Sequence, residues 1–169
     1  MSQAQGTDGY AALVAARAPA LLRLAVMLTG DRAEAEDLLQ ATLVRTQRHA
    51  DRIAAMTAPA AYLRRALVHE HVSALRRMTR RVRTSALEGH DLDGDDEAAV
   101  VDRRDATWRL LATLPRQQRA VLVLRFYEDL PDREIAETLG CSEPTVRSNA
   151  SRALATLRAR LTDNEEARP

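Results

Sequence analysis

The sequence predicts an all-α protein of two small helical domains joined by an acidic, flexible linker. Three observations carry that expectation. Apolar residues recur at intervals of three and four along most of the 169 residues, and no stretch shows convincing strand alternation. Charge is segregated: residues 1–83 hold 13 Arg against 7 acidic residues, a net +6, and residues 84–107 hold 2 Arg against 8 acids, a net −6. Residues 108–161 return to +3, with 9 Arg against 6 acids, so the net charge of +1 hides two basic blocks around an acidic connector. Third, Gly140-Cys141-Ser142 separates two short helical patterns near the C-terminus. Each basic block is a candidate surface for nucleic acid.

Composition narrows the possibilities further. A hydrophobic fraction of 46% can fill a core, but aromatics make up only 3%, so Leu, Val and Ala must do the packing. All 25 basic residues are Arg. Arg suits phosphate forks and base edges better than Lys, although a Lys-free, Ala-rich chain is also what a GC-rich genome produces. A single cysteine, Cys141, excludes an internal disulfide and a cysteine-based zinc site. Leu21–Leu28 is too short an apolar run to span a bilayer and is interrupted by Arg23. The expectation is a cytoplasmic protein without membrane insertion.

In chain order, a first helix is expected from Tyr10 to Leu28, with Pro19 kinking it or dividing it in two, and Thr29-Gly30-Asp31 closing it. A second runs from Ala33 to His49, with Glu34, Glu36 and Asp37 favourably near its N-terminus and an apolar stripe of Ala35, Leu38, Leu39 and Leu43. A loop covers Asp51–Pro59, and a third helix covers Ala60–Arg83. Residues 84–105 read as the linker. The second domain spans 106–161: Trp108, Leu111 and Leu114 start its core, Pro115 punctuates, and Gln118–Tyr127 forms the next helix. Asp132–Leu139 follows, with Ile135, Ala136 and Leu139 inward. Gly140 takes a turn at positive φ, and Ser142 caps a last helix whose buried stripe is Val146, Ala150, Ala153, Leu154 and Leu157.

Two helix faces carry candidate chemistry. At about 100° per residue, the helix 60–83 sorts Leu63, Leu67, His71, Ala74 and Met78 to one side, flanked by Val68 and Leu75. Tyr62, Arg65, His69, Ser73, Arg76 and Arg80 fall opposite, with Arg77, Arg81 and Arg83 adding charge. Arginines neutralise phosphates and a tyrosine stacks on an unpaired base, which suits a single strand or melted duplex; the plain alternative is a solvated arginine face. The second face lies on the last helix of what reads as a helix-turn-helix. Thr145, Ser148, Asn149 and Arg152 point outward, short enough to enter a major groove and able to read guanine or adenine, with Arg147 and Arg158 placed for phosphates. The plain alternative there is a helical hairpin with a wet face. Cys141 reads as a small packing group.

With both modules in view, the chain resembles the extracytoplasmic-function (group 4) sigma factors of bacterial RNA polymerase, and most of all their actinobacterial sigma-E-like type. The stretches that carry it are LLRLAVMLTGD (21–31), AEDLLQATLVR (35–45), AYLRRALVHEHVSALRR (61–77), LPRQQRAVLVLRFYEDL (114–130) and LPDREIAETLGCSEPTVRSNASRALATLR (130–158). The resemblance implies a sigma region 2 bundle over 8–83 and a sigma region 4 helix-turn-helix over 106–161. It implies that Glu36, Asp37, Leu38, Gln40, Leu43 and Arg45 bind the clamp helices of the polymerase largest subunit, with core packing the alternative for Leu38 and Leu43. Tyr62, Arg65, His69, Ser73, Arg76, Arg77 and Arg80, with the preceding loop, would take the melted minus-ten element. Thr145, Arg147, Ser148, Asn149, Arg152 and Arg158 would take the minus-thirty-five element. It further implies contact with the flap of the second polymerase subunit, and an anti-sigma factor as partner. The chain departs from the family's common residues at Tyr62, often Trp, at His69 and Ser73, commonly Asn and Asp, at Leu43, often Phe, and at Asn149, often basic. The Asn149 change implies an altered upstream preference.

No nucleophile-base pair, phosphate-binding loop or metal site appears, and His49, His69, His71 and His90 are not spaced as ligands. The expectation is a non-enzyme without cofactor or metal. Its rivals are a stand-alone helix-turn-helix regulator and an all-α interaction module that never touches DNA.

Overall fold

In a computed structural model that describes residues 2–85 and 104–166, helices account for nearly all of the described residues, and no strand occurs among them. The chain divides into two compact units, Met1–Ser73 and Ala74–Pro169. The expected linker, 84–105, lies outside the described residues except at its ends, which are helical.

The first unit holds α1 (Ser2–Thr29), α2 (Arg32–Gln47), α3 (Ala50–Ala54) and the leading part of α4 (Pro59–Ser85). α1 starts earlier than expected and runs unbroken through Pro19. Pro19 sits on the exposed side, where water can serve the carbonyl it leaves without a donor. By length and composition Asp8–Thr29 is apolar enough to cross a membrane, which the shorter Leu21–Leu28 reading missed. It packs on α2 and α3 and buries Tyr10, Leu21, Leu24, Ala25 and Leu28. The helix closes at Gly30 (φ 77°), and Asp31 caps α2 by accepting from Glu34 N–H at 2.7 Å.

The inward face of α2 is Ala35, Leu38, Thr42 and Thr46, whereas Leu39 and Leu43 are only half-buried. Two threonines displace the expected leucines because their hydroxyls are satisfied locally. Thr42 Oγ1 donates to Leu38 O and Thr46 Oγ1 to Thr42 O, both at 2.8 Å, and Tyr10 Oη meets Thr46 Oγ1 at 2.7 Å. The expected loop contains α3, whose Ile53 is fully buried. On α4 the buried set is Leu63, Leu67, Val68, His71, Val72 and Leu75, while Met78 is exposed, so the apolar stripe is shorter than periodicity suggested.

The second unit holds the rest of α4, then α5 (Arg104–Ala112), α6 (Arg116–Leu122), a π-helical turn (Val123–Tyr127), α7 (Asp132–Leu139) and α8 (Glu143–Glu166). Leu114 and the run Ala120–Leu124 form its centre, with Trp108 and Leu111 only half-buried. Arg119, 4% exposed, donates to the carbonyls of Ala112 (3.1 Å) and Leu111 (3.5 Å), filling positions that the end of α5 leaves open. α8 packs on α5, α6 and α7 through Val146, Ala150 and Ala153, all buried; Leu154, Leu157 and, on α7, Leu139 are half-buried at the margin.

Candidate nucleic-acid interface

The turn that aims α8 rests on Gly140. Its φ of 67° is left-handed, and Cys141 N–H donates to Ala136 O at 3.0 Å, closing α7. A Cβ at Gly140 would also collide with the Arg76 guanidinium. An ion pair between Arg125 and Asp132 ties the π-helical turn to the start of α7. Cys141 is half-buried, and desolvation pushes its thiol above its ordinary pKa, in keeping with a packing role.

Ser142 begins α8. Its Oγ accepts from Thr145 N–H at 3.3 Å and lies 2.8 Å from Thr145 Oγ1. Of the upstream-element candidates, Thr145, Arg147, Arg152 and Arg158 are exposed and Ser148 and Asn149 half-buried. Arg147 Nη1 lies 3.6 Å from Glu143 Oε2, a pair that sequence reading passed over. Ser151, also missed, is exposed beside Arg152.

On α4, Arg65, His69, Arg76, Arg77 and Arg80 are exposed, and Tyr62 and Ser73 half-buried. Tyr62, Arg65, His69, Ser73, Arg76 and Arg80 lie opposite the buried Leu63 and Leu67, with buried Val68 on the flank. Within the second unit, Arg76 Nη2 donates to Thr138 O at 3.2 Å, which engages one of the guanidinium's five N–H groups.

The third candidate set lies on α2. Glu36, Asp37, Gln40 and Arg45 are exposed and Leu43 half-buried. Leu38, at 8% exposure, takes the core role of the two left open for it. The large apolar residue that α2 does offer to solvent is Val44, 59% exposed, which sequence reading missed because it falls off the apolar stripe. Glu36 pairs with Arg32 at 2.6 Å and Arg45 with Glu70 at 3.0 Å. Among the described residues, no group of three His, Cys, Asp or Glu could hold a metal ion.

Comparison with known proteins identifies this arrangement. Residues 13–82 match the family model for sigma-70 region 2, and residues 104–157 match that for sigma-70 region 4. The chain is 40% identical over 149 residues to the RNA polymerase sigma-E factor of Streptomyces avermitilis, covering 88% of this chain and 82% of that one. It is 34% identical over 161 residues to the extracytoplasmic-function sigma factor SigL of Mycobacterium tuberculosis, covering 89% and 87%. Among solved structures it resembles the sigma factor RpoE of Bartonella quintana in complex with the anti-sigma factor NepR. There the TM-score is 0.58 at 26% identity, over 90% of this chain and 96% of the other. The chain belongs to the extracytoplasmic-function sigma factors. Such proteins bind core RNA polymerase and promoter DNA, and directing the initiation of transcription is the function of this chain.

Proposed function

We propose that the three faces divide the work of initiation. The exposed side of α2, with Glu36, Asp37, Gln40, Val44 and Arg45, docks on the clamp helices of the polymerase largest subunit, and the second domain meets the flap of the other large subunit. The outer face of α4, from Tyr62 to Arg80, holds the melted minus-ten strand: arginines take phosphates and Tyr62 stacks on a base. The face of α8 from Thr145 to Arg158 enters the major groove of the minus-thirty-five element. The domain limits 8–83 and 106–161 belong to this reading. The protein works in the cytoplasm by binding alone, with no chemistry of its own, and an anti-sigma factor is its expected antagonist.

The observation that carries the reading is the exposed set Thr145, Arg147 and Arg152 on a helix aimed by a left-handed glycine. Two weak contacts made through one polymerase gain from effective concentration, so neither domain needs high affinity by itself. The test is reconstitution with core polymerase followed by run-off transcription on promoter fragments. Promoter-specific transcripts that require this protein are expected. Tight operator binding without polymerase would favour a stand-alone regulator. A complex indifferent to salt would favour an adaptor, since each phosphate contact contributes about −0.9 to the slope of log K against log salt.

A further inference from the structure

We infer that the first turn of α8 reads the methyl group of a thymine in the upstream promoter element, through the side-chain methyl of Thr145 with the ring of Pro144 beside it. This rests on the assignment of α8 to duplex DNA and names what its leading end recognises. The N-terminal residues of such a helix are the ones that reach base edges. Ser142, Glu143, Pro144 and Thr145 are all exposed, and the side-chain oxygens of Ser142, Glu143 and Thr145 each have a neighbour on α8 or at its cap.

Ser142 Oγ accepts the Thr145 N–H at 3.3 Å and meets Thr145 Oγ1 at 2.8 Å, so each hydroxyl holds the other at the cap. Glu143, whose carboxylate would otherwise accept from a cytosine amino group, faces Arg147 at 3.6 Å. Pro144 has no N–H to offer, and its ring is apolar. With its hydroxyl drawn to the cap, Thr145 is left with its methyl to present. The apolar feature on the major-groove edge of B-DNA is the thymine C5 methyl, and a threonine methyl is a known match for it in chemistry and size.

The test uses holoenzyme reconstituted with core polymerase. An upstream element is selected from duplexes randomised across that region. Each selected thymine is then replaced by deoxyuridine, which deletes the methyl and leaves every hydrogen-bonding group in place. One position is expected at which the replacement weakens binding about fourfold, the effect of burying one methyl-sized group. Thr145→Ser, which keeps the cap hydroxyl, is expected to bind the thymine and deoxyuridine duplexes equally, while Thr145→Val keeps the preference. Wild-type indifference to deoxyuridine at every position, an element without thymine on either strand, or a Thr145→Ser protein that still discriminates would overturn the thymine assignment and leave α8 a duplex reader. Failure to enrich any upstream element would overturn that reading, and this one with it.

Discussion

The outer faces of α4 and α8 are both basic and both lie on helices, yet they are built on opposite principles. Along α4 the exposed positions are long: Arg65, Arg76, Arg77, Arg80 and Arg81, with Tyr62 at one end. At the start of α8 the exposed Ser142 and Thr145 are short, and their hydroxyls meet at 2.8 Å. A duplex presents its base edges at fixed places, so side chains already held in position lose little freedom on binding. An unwound strand has no fixed shape, and long arginines can follow its phosphates while an aromatic ring accepts whichever base stacks on it. On the proposed reading α8, whose charges balance over its length, is the reader, and α4, with seven Arg against one Glu, is the holder.

The largest effect that would break this contrast comes from α4. Replacing Tyr62 and Arg65 together with Ala is expected to remove a stack worth about 1–3 kcal/mol and one phosphate contact besides. Promoter opening should fall between several-fold and more than a hundredfold, while the upstream footprint persists. Permanganate reactivity of the melted strand measures this, and reactivity equal to that of the parent protein would remove α4 from the holding role. The mirror experiment is Arg152→Ala, expected to cost about 1–3 kcal/mol in holoenzyme binding if the guanidinium reads a base. It should relax sequence preference at one upstream position and leave opening of the bound complex unchanged. An upstream footprint of parental strength would end the base-reading role of Arg152.

The parts legible in the sequence were those governed by period and by glycine. Core helices announced themselves through apolar spacing, and Gly140 marked a left-handed turn that the backbone adopts, at φ 67°. Three buried polar residues outside the expected apolar sets share a physical cause, which is that local hydrogen bonding overrides polarity. Thr42 and Thr46 look like surface residues, but i−4 carbonyls satisfy their hydroxyls and let them pack inward. Arg119 looks solvated, but it is buried because the open carbonyls of α5 need a donor. In the candidate sites the residue types were legible and their pairings were not. Arg147 and Glu143 stand four apart, a spacing common on any wet helix, and nothing in composition says that the two meet in this one. Val44 was hidden for the opposite reason, being an apolar residue off the apolar stripe.

A smaller effect tests the scaffold of the rigid reader. Gly140→Ala forces a side chain into a left-handed position at a cost of about 1–2 kcal/mol. The Arg76 guanidinium, being the end of a flexible side chain, can move aside. Denaturant unfolding should show that loss, and upstream recognition should suffer more than promoter opening, because the turn aims α8 and α4 does not depend on its φ. Equal damage to both activities would mean that the two faces are not separable.

The smallest expected effect bears most directly on whether the restraint in α8 is functional. The Glu143–Arg147 pair is long at 3.6 Å, with side chains 48% and 58% exposed, so its own contribution to stability is small, at most about 0.5 kcal/mol. Its consequence for binding is different in kind. On the proposed reading, an Arg147 that meets a phosphate shares its charge with Glu143, and the carboxylate stands near the DNA. Glu143→Gln keeps the size of the side chain and removes both penalties, so holoenzyme should bind promoter DNA more tightly at low salt, by a factor of about two to five for a surface charge pair. The gain should shrink as salt screens it, which a titration from low to high ionic strength would trace. If the pair instead serves to hold Arg147 at the angle its phosphate requires, the glutamine protein would bind more weakly at every salt concentration. A gain at low salt makes Glu143 a brake on non-specific affinity; a uniform loss makes it part of the rigid reader itself.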